Sequence, residues 1–264
     1  ATALDKTRYL RTSLRGPKGR INSVAFSADG KLLAGAGADS ELWLYDVSRG
    51  TVARRLRRPG SGELNAVSFS ADGRLLAAGS ADGLVPIWDL ESPQLEPQTL
   101  RGAPLGVKVQ GVFSLDFSPD SKTLAAGVDD GRVLLWDLAT REPRPVPMPG
   151  HKQPVASVSF DRSSGRGHGP GAPLLASSSI DGTALVWNAQ TGERVLPALS
   201  GYEEYLSSVL FSPNGQLLAA GSVDHSILLW DACAAKLVGS SQGWGAWGNG
   251  GQRKNSPIFP DALG

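Results

Sequence analysis

Three residue types in one stretch of the chain belong to bond-cutting chemistry: His151, a serine at 177 or 179, and Asp181. A serine hydroxyl, an imidazole to take its proton and a carboxylate to orient the imidazole are the parts of a nucleophilic hydrolase. That chemistry also needs a strained turn that presents the nucleophile and a pair of donors for the oxyanion. Nothing around these residues supplies either. Metal chemistry fares no better. His151, His168 and His225 are scattered and Cys233 stands alone, so no ligand spacing exists and neither metal nor cofactor is expected. The Gly-rich stretches 165–171 and 243–251 lack the Gly-Lys-Ser/Thr ending that cradles phosphate, and read as loop and tail. Arg54, Arg55, Arg57 and Arg58 form a short basic cluster, read as a solvated, edge-protecting strand in preference to a nucleic-acid patch.

The totals agree with this spare chemistry. The 264 residues carry a formal net charge of +1, so no bulk field attracts nucleic acid or an anionic membrane. Hydrophobic residues make up 41%, enough for a large core. A single cysteine rules out an internal disulfide framework and suits a reducing compartment, so a cytoplasmic protein is expected. No apolar run is long enough to span a membrane, and the first residues lack the core of a signal peptide. The one methionine is Met148, which suggests that the natural beginning lies elsewhere.

What positions the few polar candidates is a repeat. Phe26, Phe69, Phe117, Phe160 and Phe211 begin five matching segments. Thirteen residues later stand Asp39, Asp82, Asp130 and Asp224; Asp181 follows after 21 because of an eight-residue insertion. Six residues beyond each Asp comes an aromatic: Tyr45, Trp88, Trp136, Trp187 and Trp230. Each copy reads as three short strands, an alternating one, a small-residue one such as LLAAGS, and one ending at the aromatic. Turns of the form S-A/P-D/N-G and A/D/I-D-G separate them. A more variable stretch between copies (TVARRL, LEPQTL, RPVPMP, RVLPAL) supplies a fourth strand. Four strands per 43 to 51 residues describe a propeller blade.

The endings Trp88-Asp89, Trp136-Asp137 and Trp230-Asp231, the F-S-P-D turn at 117–120 and Gly150-His151 resemble the Trp-Asp (WD) repeat β-propeller family. The regularity of the copies is similar to arrays in bacterial multidomain signalling proteins. The resemblance implies an all-β propeller of four-stranded antiparallel blades, used for scaffolding and recognition. Blades are expected at about 20–57, 63–100, 111–148, 154–199 and 205–241, with 8–14 an orphan outer strand of a preceding blade. The ring is expected to be incomplete or open. Residues 242–264 read as a Gly-rich tail, or the start of a degenerate blade in which Trp244 and Trp247 cover an exposed face or engage a partner.

The resemblance also implies a structural polar network of His151, Ser177 or Ser179, Asp181 and Trp187, which makes the hydrolase reading the weaker one. At the place of His151 the other copies have Pro17, Gly60, Lys108 and Tyr202, so their turn Asp residues are expected to bond turn amides alone.

Counting back from each Phe, the fifth and second positions are apolar and read as core: Ile21 and Val24, Leu64 and Val67, Val112 and Leu115, Val155 and Val158, Leu206 and Val209. The sixth and fourth are unrestricted: Arg20 and Asn22, Glu63 and Asn65, Gly111 and Phe113, Pro154 and Ala156, Tyr205 and Ser207. In the resembling family these positions, with Ala38, Ala81, Asp129, Ile180 and Val223, line the rim of the top face. A partner is expected to use Phe113 and Tyr205 as anchors, with Ile180 and Val223 apolar between them and Asp129, Arg20 and Glu63 setting polarity. The bland alternative is that Phe113 packs under the loop at 102–111. The expected function is a non-catalytic protein- or peptide-binding scaffold within a larger protein. The alternatives are a hydrolase or lyase in the central channel, for which Asp129 with Glu63 is a thin acid set, and a subunit of a nucleic-acid-associated assembly.

Overall fold

A computed structural model of the chain describes residues 13–58, 62–94, 96–100, 109–144, 148, 150–163, 173–200, 204–232 and 236–241. His168, Cys233, Trp244, Trp247, the remainder of the tail and residues 8–12 of the expected orphan strand lie outside them; Ser13 and Leu14 carry no strand. Blade 1 is the meander β1 (Ile21–Phe26), β2 (Leu32–Gly37), β3 (Glu41–Asp46) and β4 (Thr51–Arg57). Blade 2 is β5 (Leu64–Phe69), β6 (Leu75–Ser80), β7 (Val85–Asp89) and β8 (Gln98–Leu100). Blade 3 holds β9 (Val112–Phe117), β10 (Thr123–Val128) and β11 (Val133–Asp137). Blade 4 holds β12 (Val155–Phe160), β13 (Leu174–Ser179) and β14 (Ala184–Asn188). Blade 5 is β15 (Leu206–Phe211), β16 (Leu217–Ser222), β17 (Ile227–Asp231) and β18 (Lys236–Ser241).

Blades 3 and 4 depart from the expected fourth strand. Among the described residues, their outer segments meet the third strand through isolated bridges, Trp136 to Pro143, Trp187 to Arg194 and Ala184 to Leu199. In blade 4, Pro197, which has no N–H to give a ladder, lies between the two bridges.

The turns work as the sequence suggests. In the first, Ser27 donates its hydroxyl to Asp29 and accepts from the Leu32 amide, while Gly30 takes φ 69°. Small second-strand residues let neighbouring blades approach. Gly79 faces the Val112 side chain of the next blade so closely that an added Cβ would lie 2.7 Å from Val112 Cγ1. Gly127 receives Val155 in the same way, at 2.6 Å.

The core is therefore serial: four apolar layers, one between each successive pair of blades. Each blade offers its Val, Phe and Trp face to the blade before it, and the other side of its second and third strands to the blade after. Between blades 1 and 2, for example, Ala34, Ala36, Leu42 and Leu44 meet Val67, Phe69 and Trp88. The inner strands β1, β5, β9, β12 and β15 pack in chain order. Among the described residues no sheet combines strands from the two ends, so their five blades form an open arc.

Openness corrects one expectation. Leu64, Val67, Val112, Leu115, Val155, Val158, Leu206 and Val209 are buried, but Ile21 and Val24 are 44% and 62% exposed. Their positions are core positions only where a preceding blade covers them.

Candidate functional site

The cluster that suggested hydrolysis is assembled in blade 4 by β13, its turn and the segment before β12. His151 Nε2 lies 2.8 Å from Ser177 Oγ, and Trp187 Nε1 donates to the same oxygen at 2.9 Å. His151 Nδ1 lies 3.3 Å from both Asp181 carboxylate oxygens and 3.1 Å from Thr183 Oγ1. The structure thus selects Ser177; Ser179 instead donates to the Gln153 carbonyl and accepts the Asp181 amide. Burial lowers the His151 pKa, against the opposing pull of Asp181. Burial works to raise the Asp181 carboxyl, but the Thr183 hydroxyl, the Lys152 amide and His151 outweigh it and hold it below the usual carboxylate range. With neutral imidazole, every donor in the set has an acceptor. Ser177 is 0% exposed, so no substrate carbonyl reaches its oxygen. The network ties the turn to the third strand.

The other turn aspartates correct the expectation that they bond amides alone. Asp39 accepts from the Lys18 and Glu41 amides and also from Trp43 Nε1, at 3.1 Å. Asp82 pairs with the Arg58 guanidinium. Asp130 accepts from Arg132 Nε and Nη2 at 2.8 and 2.5 Å. Asp224 accepts the Ser226 hydroxyl and amide. Arg132 and Ser226, like Thr183 in blade 4, stand two residues after the Asp in the same turn, whereas Trp43 comes from the third strand and Arg58 from the end of the preceding blade. The indole of Trp88 is buried and its Nε1 has no acceptor.

The rim residues predicted from counting share one geometry. In every blade the residue before the turn Asp donates its amide to the residue six before the Phe. These bonds are Ala38 to Arg20, Ala81 to Glu63, Asp129 to Gly111, Ile180 to Pro154 and Val223 to Tyr205, at 2.8 to 3.2 Å. In every first strand the register slips at the fourth position, so Asn22, Asn65, Phe113, Ala156 and Ser207 each sit at a β-bulge. A bulge re-aims a side chain out of the strand's alternation.

On blades 1 and 2 the rim is polar and self-satisfied. Glu63 accepts from Arg20 Nε and Nη2 at 3.0 and 2.7 Å and from Asn22 Nδ2 at 2.7 Å. The bonds from Asn22 and Arg20 hold the Glu63 carboxyl below its ordinary range. Asn22 and Asn65 also donate to carbonyls of the next blade, Leu64 and Val112. On blades 3 to 5 the rim carries exposed apolar and aromatic side chains beside Asp129 and Ser207. Phe113, Ile180 and Tyr205 are 43%, 40% and 43% exposed. Asp129 accepts the Gln110 amide, Ser207 donates to the Gly221 carbonyl, and Val223 is only partly buried. The loop proposed to cover Phe113 lies, over 101–108, outside the described residues.

The basic cluster of β4 is occupied. Arg57 and Arg55 pair with Glu41 at 3.4 and 3.8 Å, and Arg55 lies over the Trp43 ring.

Counting missed a second set of functional polar groups, those that join blades. Ser23 accepts the Val67 amide of the next blade at 3.2 Å, and Ser114 that of Val158 at 3.0 Å. Asp116 accepts the Phe160 amide at 2.8 Å and Arg162 Nη2 at 2.6 Å. The available signal was the polar residue three before the Phe in four of the five copies: Ser23, Ser114, Ser157 and Ser208.

Meandering blades docked face to back, with a Trp-Asp ending on the third strand, define a WD-repeat β-propeller. Solved structures agree. The chain is similar to the crystal structure of RRP9 WD40 repeats (TM-score 0.74, 19% identity, covering 87% of this chain and 65% of that one). It is also similar to the structure of U3-55K (TM-score 0.74, 20% identity, 87% and 66%). The chain thus spans about two thirds of the length of each. It belongs to the family described as Nucleolar protein 10-like, N-terminal domain, whose sequence profile matches residues 12–221. Comparison with curated proteins gives no match. The family match overturns the cytoplasmic placement expected from the single cysteine: the family is described as nucleolar, and a reducing environment does not separate the two.

Proposed function

We propose that the chain is a non-catalytic protein-binding platform of a nucleolar assembly, and that it captures its partner on the rim of blades 3 to 5. One observation carries this reading: Phe113 at its β-bulge, Ile180 before the turn Asp and Tyr205 at the carbonyl that the Val223 amide bonds stand exposed on the rim of three consecutive blades. Exposed aromatics at one rim, bordered by the polar Arg20–Asn22–Glu63 group, have the make-up of an interface core beside its polar edge. A channel enzyme is the weaker reading, because Glu63 is held ionised by Arg20 and Asn22 and Asp129 is engaged by a backbone amide. The family's description favours a nucleolar assembly over the signalling role suggested by the regular repeats.

The test is affinity capture from nucleolar extract with the chain and with its Phe113→Ala/Tyr205→Ala variant. The expected result is loss of the captured partner with an unchanged thermal unfolding curve; equal capture by both proteins rejects the site. A second reading, direct attachment to RNA within such an assembly, is also supported by the nucleolar description. Salt-dependent binding of the purified chain to RNA is its readout.

A further inference from the structure

We propose that the groove between blades 2 and 3, at the opposite end of the strands from the rim, is a second docking site, and that it takes an extended segment of a partner protein carrying an apolar side chain between acidic ones.

The joint between the two sheets builds the groove. Its floor includes Leu75 of blade 2 and Leu138 of blade 3, both partly buried against the apolar layer between the sheets. Its walls are tied together where the Asp72 amide of blade 2 donates to Ser121 Oγ of blade 3 at 3.1 Å. The main cavity measures about 240 Å³. A smaller lobe of about 110 Å³, bounded by Ile87 and Gln98, shares Leu75, Asp89 and Arg141 with it. Cavities that hold whole small molecules run to roughly 300–1,000 Å³. This one has room for a single side chain.

Two backbone departures from the repeat meet here. The turn after the first strand places Gly30, Gly73 and Gly215 in the left-handed region in blades 1, 2 and 5, but blade 3 places Ser121 there, at φ 58°. The turn after the third strand places Gly50 and Gly192 there in blades 1 and 4, but blade 3 places Arg141 there, at φ 62°. Both side chains line the main cavity. A strained backbone kept where glycine serves in other blades points to a side chain held for contact. For Ser121 the contact is the Asp72 amide. For Arg141 it lies outside the described residues, among which its guanidinium makes no hydrogen bond or ion pair.

Charge selects the occupant. Asp72 already accepts the Ser70 hydroxyl and the Arg74 amide, and Asp89 accepts Arg74 Nε and Nη2. Arg74 is thereby engaged. Lys122, exposed beside the cavity, resembles Arg141 in forming no ion pair among the described residues. The groove therefore offers two cations around an apolar floor. An extended peptide meets both with acidic residues on either side of an apolar one, and a carboxylate on Arg141 can make two parallel charge-assisted bonds. A nucleic-acid strand fits less well, because its phosphate at every step would also face Asp72, Asp89 and Glu96.

Fluorescence anisotropy with short labelled peptides tests this. The probes alternate Asp with Leu, Ser with Leu, and Lys with Leu. The Asp–Leu peptide is expected to bind saturably and the other two far more weakly. Arg141→Gly installs the residue that blades 1 and 4 carry at this place. It is expected to keep or raise the unfolding midpoint while weakening the Asp–Leu peptide by about tenfold or more. Lys122→Glu, at an exposed site, is expected to weaken that peptide and to strengthen the Lys–Leu one. Phe113→Ala/Tyr205→Ala is expected to change neither, which separates this groove from the rim. No binding by the unaltered chain, or equal binding of the Asp–Leu peptide by the chain and Arg141→Gly, overturns the proposal. Ser–Leu binding as tight as Asp–Leu binding overturns it in favour of a purely apolar contact. Oligouridine that binds more tightly than the Asp–Leu peptide, and loses that binding in Arg141→Gly, overturns it in favour of a nucleic-acid strand.

Discussion

The Asp116 carboxylate of blade 3 holds the Phe160 backbone amide of blade 4 at 2.8 Å, a hydrogen bond that crosses an apolar layer between two sheets. Burial pushes the Asp116 carboxyl up; Arg162 and the Phe160 amide oppose it. Removing the acceptor leaves that amide and part of the Arg162 pairing unsatisfied in a closed joint. Asp116→Ala is therefore expected to cost about 3 kcal/mol. Asp116→Asn, which keeps one acceptor oxygen, should cost clearly less. Urea unfolding midpoints check both, and equal midpoints for the two variants would falsify the role given to the oxygen.

His151 makes the fold acid-sensitive. Its pKa in the folded chain lies below the ordinary histidine value because burial disfavours the imidazolium. A group with a depressed folded pKa stabilises the fold above its unfolded pKa and loses that contribution as pH falls. Cooling of the melting temperature is thus expected between roughly pH 7 and pH 5, where the unfolded chain binds the extra proton. His151→Gln should lower stability at neutral pH by about 2 kcal/mol and flatten the decline. Parallel melting curves for both proteins across that range would contradict the assignment.

Blade 2 lacks an acceptor that blade 4 has. Ala78 pairs with Val67 as Ser177 pairs with Val158, and Trp88 pairs with Leu76 as Trp187 pairs with Leu175. Trp187 gives its indole proton to Ser177, while Trp88 has no taker. Ala78→Ser is expected to raise stability by about 1 kcal/mol. A calorimetric scan showing no gain would mean that burying the new hydroxyl costs as much as the indole bond returns.

Turns between the second and third strands make opposite demands at two places. His225 adopts φ 72° where Gly83, Gly131 and Gly182 occupy the same position in other blades. His225→Gly should relieve roughly 0.5–1 kcal/mol of backbone strain net of chain entropy. At Gly83 a Cβ would lie 2.0 Å from the Val109 carbonyl oxygen, in addition to φ 81°. Gly83→Ala is expected to cost about 3 kcal/mol or more, with loss of protection in β6 and β7 by hydrogen exchange.

Much of the fold was legible because the repeat is a spacing between chemically distinctive residues. Phe, turn Asp and Trp recur at fixed intervals, and alternation then assigns Val67 or Leu115 to the core without further information. The blade 4 network was legible as a set, though choosing Ser177 over Ser179 required the strand pairing. Donors to the other turn aspartates were legible only in part: Arg132, Thr183 and Ser226 stand two residues after their Asp, but Trp43 and Arg58 come from other elements that this offset does not reach. The expected open ring implied an exposed apolar face, but Ile21, Val24 and Phe26 obey the core pattern, and only the lack of a covering blade among the described residues distinguishes them. The outer segments of blades 3 and 4 show the opposite failure. There the register suggested a strand, and in blade 4 the missing N–H of Pro197 interrupts the ladder between two bridges.

Serial packing of the blades gives the molecule a one-dimensional cooperativity. Every interior sheet is gripped on both sides, by the layers that contain Phe69, Phe117, Phe160 and Phe211, whereas among the described residues the first and last sheets are gripped on one. In a linear array of nearest-neighbour couplings, opening starts at the ends and is resisted most in the middle. Where no further sheet covers blades 1 and 5, thermal fluctuations should fray them well before blade 3 yields. Blade 3, which carries Phe113, is then the segment of the array with the longest-lived native state.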